Sequence, residues 1–145
     1  MAQLAYLGMA SDFNELRVYR LAAELADEIY ESVGHWPLQA RKTFGDQLIR
    51  SVDSIGANIA EATGRRGTAD KRRLLFIARG SLHEAEHWIK RGESRGVLPH
   101  GTSTRLQVIA SLLNGLIRRP SKGTADGSGP QPTRSKGFAL PTKGS

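Results

Sequence analysis

Four successive segments of this chain repeat apolar residues at three- and four-residue steps, and no segment alternates apolar with polar residues between hairpin turns. That pattern confines the body to helices. Leu16, Tyr19, Ala22, Leu25, Ile29 and Val33 form the first stripe, behind an Asp12-Phe-Asn-Glu15 stretch with capping-box spacing, so a first helix is predicted over about 13–33. Gly34-His-Trp-Pro37 breaks it, and Phe44, Leu48, Val52, Ile55 and Ile59 make a second stripe ending near Gly64. Thr68 is placed to cap a third helix carrying Leu75, Ala78, Leu82, Ala85 and Ile89, with Gly96 placed to end it. Thr102 is placed to cap a fourth, with Leu106, Ile109, Leu113 and Leu116 before Pro120 stops it. Short connections with no long crossover favour an all-α, up-down-up-down four-helix bundle.

A chain of 145 residues holds one such domain plus tails. Residues 1–12 read as an arm without the basic start and apolar run of a cleaved signal, 13–120 as the bundle, and 121–145 as a tail. In the tail 15 of 25 residues are Gly, Pro, Ser or Thr, so disorder is expected, with Phe138-Ala139-Leu140 its one apolar island. No run is apolar enough to span a membrane. The absence of cysteine excludes disulfides, Cys-based zinc sites and thiol nucleophiles, which fits a cytoplasmic protein.

Charge then narrows the functional classes. Lys and Arg number 21 against 14 Asp and Glu, a net +7, of which the tail carries +3 and the body +4. In up-down order the second-to-third helix turn, the start of the first helix and the end of the fourth share one pole. Arg65, Arg66, Lys71, Arg72, Arg73, Arg118, Arg119 and Lys122 fall there. Cations at helix C-termini suit the macrodipole, but Lys71, Arg72 and Arg73 stand near a helix N-terminus, where the dipole favours anions. Their placement points to an external anion, and phosphate backbones of RNA or DNA are the expected ligand. The competing reading is a solvated charged surface.

Counting outward from the Gly64–Gly67 turn sets Glu61 near Lys71 and Arg72, Ser54 near Arg79 and Gly80, and Arg50 near Glu84, so an Arg50–Glu84 ion pair is expected. Gln47, Ser51, Ser54, Asn58 and Glu61 form a polar row beside the second apolar stripe. Ser and Asn are mediocre helix formers, so the row implies either interhelical hydrogen bonds at a close approach, with Gly56, Gly80 and Ser81, or a subunit contact.

His83-Glu84-Ala-Glu-His87 matches H-E-x-x-H, a zinc-hydrolase pattern with two imidazoles on one helix face and Glu84 as base. Lys90 and Ser94 stand where the longer form has Gly and a third His, and no glutamate follows Glu93. The expectation is therefore a non-enzyme with no cofactor and no metal site, zinc hydrolysis being a remote alternative. Trp88 reads as core rim or subunit contact. A base-stacking platform would need more exposed aromatics along the basic surface than the sequence offers.

Arg50-Ser-Val-Asp-Ser-Ile-Gly-Ala-Asn-Ile-Ala-Glu-Ala-Thr-Gly-Arg65 and Leu75-Phe-Ile-Ala-Arg-Gly-Ser-Leu-His-Glu84 resemble the bacterial four helix bundle protein family. It is also called the large-subunit ribosomal RNA intervening-sequence protein family. The likeness covers about 13–119, starting at Phe13-Asn-Glu-Leu-Arg-Val-Tyr19 and including Arg95-Gly-Val-Leu98 between the last two helices. It implies a protomer that assembles into a ring-like homopentamer, with Arg50, Ser54, Asn58, Glu61, Arg79, Gly80, Ser81 and Glu84 as motif residues. The chain is more distantly similar to the accessory variability determinant of diversity-generating retroelements, which implies nucleic acid and a reverse transcriptase as partners. Ala62 stands where the family commonly has Gly, and Arg72 and Arg73 where it tends to be acidic. The combined expectation is an oligomeric accessory that binds nucleic acid or scaffolds. The alternative is a protein-interaction module without direct nucleic-acid contact.

Overall fold

The computed structural model describes residues 13–120. The first helix, α1, spans Phe13–Gly34 and buries Val18, Ala22, Leu25, Ala26, Ile29 and Val33, one face of a 3.6-residue period. A helical turn, Leu38–Ala40, then leads through a π-helical turn, Arg41–Gly45, into α2, Asp46–Thr63. Helix α3 spans Thr68–Ser94 and α4 spans Thr102–Ile117. Each helix packs on its neighbours in order, and α4 closes against α1. The expected all-α, four-helix body is therefore present, and no strand occurs among the described residues. The tail and the Asp12 half of the capping box lie outside them.

The π turn has a structural use that the stripe pattern did not reveal. Its extra residue per turn sets both Phe44 and Gly45 inward. Phe44 is 2% exposed, with Trp36 at 5.0 Å and Trp88 at 6.2 Å between ring centroids, and Arg95 lies 4.8 Å from its centroid. Trp36 is thus a buried anchor of this end of the bundle rather than part of a plain breaker, its indole N–H donating to Ser32 Oγ at 3.2 Å. Gly45 is required because a Cβ there would stand 2.9 Å from Val33 Cγ1 on α1. Gly45→Ala gains about 1 kcal/mol of helix propensity but meets about 1–3 kcal/mol of overpacking. We expect a net loss, read as a lower midpoint in urea.

The helix ends depart from expectation in how they are capped. Gly67 and Gly101, not Thr68 and Thr102, are the N-cap residues, and neither threonine supplies a side-chain cap. The start of α4 is served instead by Glu93 of α3, whose carboxylate accepts the Ser103 backbone N–H at 2.7 Å. That bond holds the Glu93 pKa below the ordinary carboxylate range. Because the folded value is lowered, the stabilisation is present at neutral pH and is lost as pH falls through it. Glu93→Gln should therefore melt below the wild type at pH 7, with the gap closing on acidification; a gap independent of pH would contradict this. Gly96 ends α3 as expected: at φ +74° it forms a Schellman motif, with Val97 N–H on Gly92 C=O at 3.0 Å and Gly96 N–H on Glu93 C=O at 3.2 Å.

Candidate nucleic-acid interface

Three contacts draw the ends of the helices together at one pole. Lys71 pairs with Glu15 of α1, Arg65 lies 3.4 Å from Asp70 across the turn between α2 and α3, and Arg72 donates to the Arg119 carbonyl at 2.9 Å. The start of α1, the α2–α3 turn and the end of α4 therefore meet as the sequence implied.

The cations there are less free than their sequence positions suggested. Glu15, the acidic residue in the first turn of α1, turns inward and is buried, with Lys71 on one carboxylate oxygen. Its Oε2 is buried without a hydrogen-bond partner among the described residues. Arg72 donates to the Arg119 carbonyl, in the chain just past the end of α4, and so ties α3 to that exit. Arg73 binds Asp70 at 2.9 Å, and Arg65 binds Glu61 at 2.6 Å. The Glu61 hydrogen bond, then the charges of Asp70 and Glu61, raise the Arg65 pKa. Lys71, Arg72 and Arg73 thus answer to groups on the protein itself, so their position against the macrodipole is explained without an outside anion. Arg66 and Arg118 are exposed and have no acidic partner among the described residues; Lys122 lies beyond them.

The motif residues of α2 and α3 are also corrected in their partners. Arg50 and Glu84 are both exposed and do not pair; Glu84 instead accepts the Trp88 indole N–H at 3.4 Å. Counting from a turn gives the level of two residues but not their direction, and a pair of exposed charges gains little from meeting. Ser51, Ser54 and Asn58 bond to backbone carbonyls of their own helix, at Leu48, Arg50 and Ser54, so the polar row makes no interhelical hydrogen bonds. Gln47 is exposed. Gly56 packs toward Tyr19 of α1, a Cβ there standing 3.7 Å from the ring, while Gly80 is exposed with nothing near it and Ser81 is half-buried. Arg79 turns to α4 rather than to Ser54, donating to Asn114 Oδ1 at 3.3 Å.

His83 and His87 are exposed on α3, and among the described residues no group of three or more His, Asp or Glu side chains could hold a metal ion. No helix there is long and apolar enough to cross a membrane.

One residue of this region did not stand out in the sequence. Phe76 is 44% exposed, with the Arg79 guanidinium 4.7 Å from its ring centroid. It lines a groove of about 470 Å³ together with Thr68, Ala69, Arg72 and Arg73. The signal was present: Leu74-Leu75-Phe76-Ile77-Ala78 is an unbroken apolar run. One helix face buries only Leu74, Leu75 and Ala78 of it, leaving Phe76 and Ile77 outside.

Residues 14–118 match the model of the 23S rRNA-intervening sequence protein family. Among solved structures, the chain is similar to a protein of unknown function of the S23 ribosomal protein family from Bacteroides thetaiotaomicron. The two are 25% identical with a TM-score of 0.67, over 74% of this chain and 100% of that one. No curated protein matches.

Proposed function

The chain belongs to the 23S rRNA-intervening sequence protein family, and on that premise we propose that it is a non-enzymatic, oligomeric accessory protein whose basic pole holds RNA or DNA by the phosphate backbone. The observation that carries this reading is the gathering of helix ends. Arg65, Arg66, Lys71, Arg72, Arg73, Arg118 and Arg119 converge where Glu15, Glu61 and Asp70 are the acidic residues the contacts bring in. These internal partners fix several guanidinium groups in place without cancelling the positive excess. Such a surface attracts any polynucleotide and reads no base sequence.

Self-association belongs to the same proposal, as the homopentamer that the family resemblance implies. The outer row of α4 supports it: Val108 is 50% exposed, and Gly115, also exposed, has open space at its Cβ position, so a second copy could approach closely. A ring would repeat the basic pole and raise avidity for a long strand.

Arg66 and Arg118 are the residues with which to test the pole, since both are exposed and neither holds the fold together. Arg66→Glu with Arg118→Glu should weaken binding of a labelled RNA on the order of tenfold or more at low salt, and should lower the slope of log affinity against log salt by about 0.7–0.9 for each phosphate no longer neutralised. Unchanged binding by a folded double variant would show that the pole is not the binding surface. A protein that stays bound to the chain in a pull-down through both nuclease and high salt would favour a protein partner instead.

A further inference from the structure

We propose that the groove beside Phe76 is a base-stacking subsite, so that the pole prefers single-stranded nucleic acid to duplex. The inference rests on the nucleic-acid reading of the pole and adds the form of the ligand. Phe76 is a large aromatic side chain left 44% exposed on α3, within a groove lined otherwise by Thr68, Ala69, Arg72 and Arg73.

Each of the three cations beside the ring is held from behind. Arg79 lies over Phe76 at 4.7 Å and is itself tied to Asn114, Arg72 is tied to the Arg119 carbonyl, and Arg73 is tied to Asp70 at 2.9 and 3.2 Å. A guanidinium carries five N–H donors, so Arg72 and Arg73 keep donors for a phosphate after these bonds are made. An aromatic ring flanked by pre-set cations matches a nucleotide: the base offers a π face to the ring and its phosphate meets the guanidinium groups.

The two guanidinium groups at its border favour a nucleotide over an uncharged protein segment as the occupant, and Arg72 places the groove beside the exit of α4, where it bonds to the Arg119 carbonyl. Duplex bases are already stacked on both faces, whereas an unpaired base has a face to give. Stacking is indifferent to base identity, so the preference is for strandedness and not for sequence.

The experiment compares wild type, Phe76→Ala and Phe76→Trp against a labelled oligothymidylate and a duplex of equal length, with the mass of each protein in solution measured alongside. Wild type should bind the single strand more tightly than the duplex. Phe76→Ala should weaken single-strand binding about tenfold and leave duplex binding and the salt slope unchanged, and Phe76→Trp should restore it, as stacking requires. Phe76→Ala with undiminished single-strand affinity would overturn the subsite while leaving backbone binding at the pole intact. Absence of binding by wild type to either probe at low salt would overturn both. A Phe76→Ala protein that loses the assembled mass of the wild type would assign the ring to a subunit contact and overturn the stacking role.

Discussion

Phe44→Ala is expected to cost about 3–5 kcal/mol, the range for truncating a fully buried aromatic side chain. Phe44 is 2% exposed and joins three separate pieces of chain: Trp36 from the α1–α2 connection, Trp88 of α3, and Arg95 at the α3 terminus. Removing the ring takes the tilted partner from Trp36, the stacked partner from Trp88 and the face beneath the guanidinium, and the rigid helix ends cannot close over the space. A domain of this size has about 5–15 kcal/mol of stability in all, so the variant should lose a large share of it. Urea unfolding should show a lower midpoint at an unchanged slope. A loss below about 1 kcal/mol would mean that the aromatic cluster is not the keystone of that end.

Lys71→Met should be the second most damaging change, and for an electrostatic reason. The Glu15 side chain is 5% exposed and Lys71 is 28% exposed. Breaking a buried ion pair from one side leaves a charge in a poorly solvated place and costs about 3–5 kcal/mol. The partial exposure of Lys71 brings the expectation down to about 2–3 kcal/mol. Glu15→Gln combined with Lys71→Met should recover most of that loss, because the stranded charge is gone. Additive losses in the double variant would show that the two side chains are not coupled. Reversing the charge of Lys71 is correspondingly a poor probe of ligand binding, since it strikes the fold first.

The helical period made the four-helix body legible, down to the Gly96 stop, because burial of one face per helix is written residue by residue. The π turn at Arg41–Gly45 was not legible, since a single inserted residue only shifts the phase of a stripe that continues on either side of it. Trp36 was hidden for a related reason: its position beside Pro37 reads as a break, yet the chain folds the ring back onto Phe44. The pole itself was legible from the up-down order. The partners of its cations were not, because Glu15 and the Arg119 carbonyl are remote in sequence from Lys71 and Arg72 and meet them only when α1 and α4 are packed. Phe76 was hidden inside an apolar run whose buried members carry the stripe, while the same helical period turns its own ring outward.

Salt dependence of polynucleotide binding tests the central claim most directly. Wild-type protein titrated with a labelled single strand across about 50–200 mM salt should lose affinity linearly on a log–log plot, with a slope of about −0.7 for each phosphate neutralised. A slope corresponding to several phosphates, reduced in the Arg66→Glu, Arg118→Glu protein, is the predicted result. Binding insensitive to salt, or no binding at the lowest salt, would contradict the assignment of the basic pole.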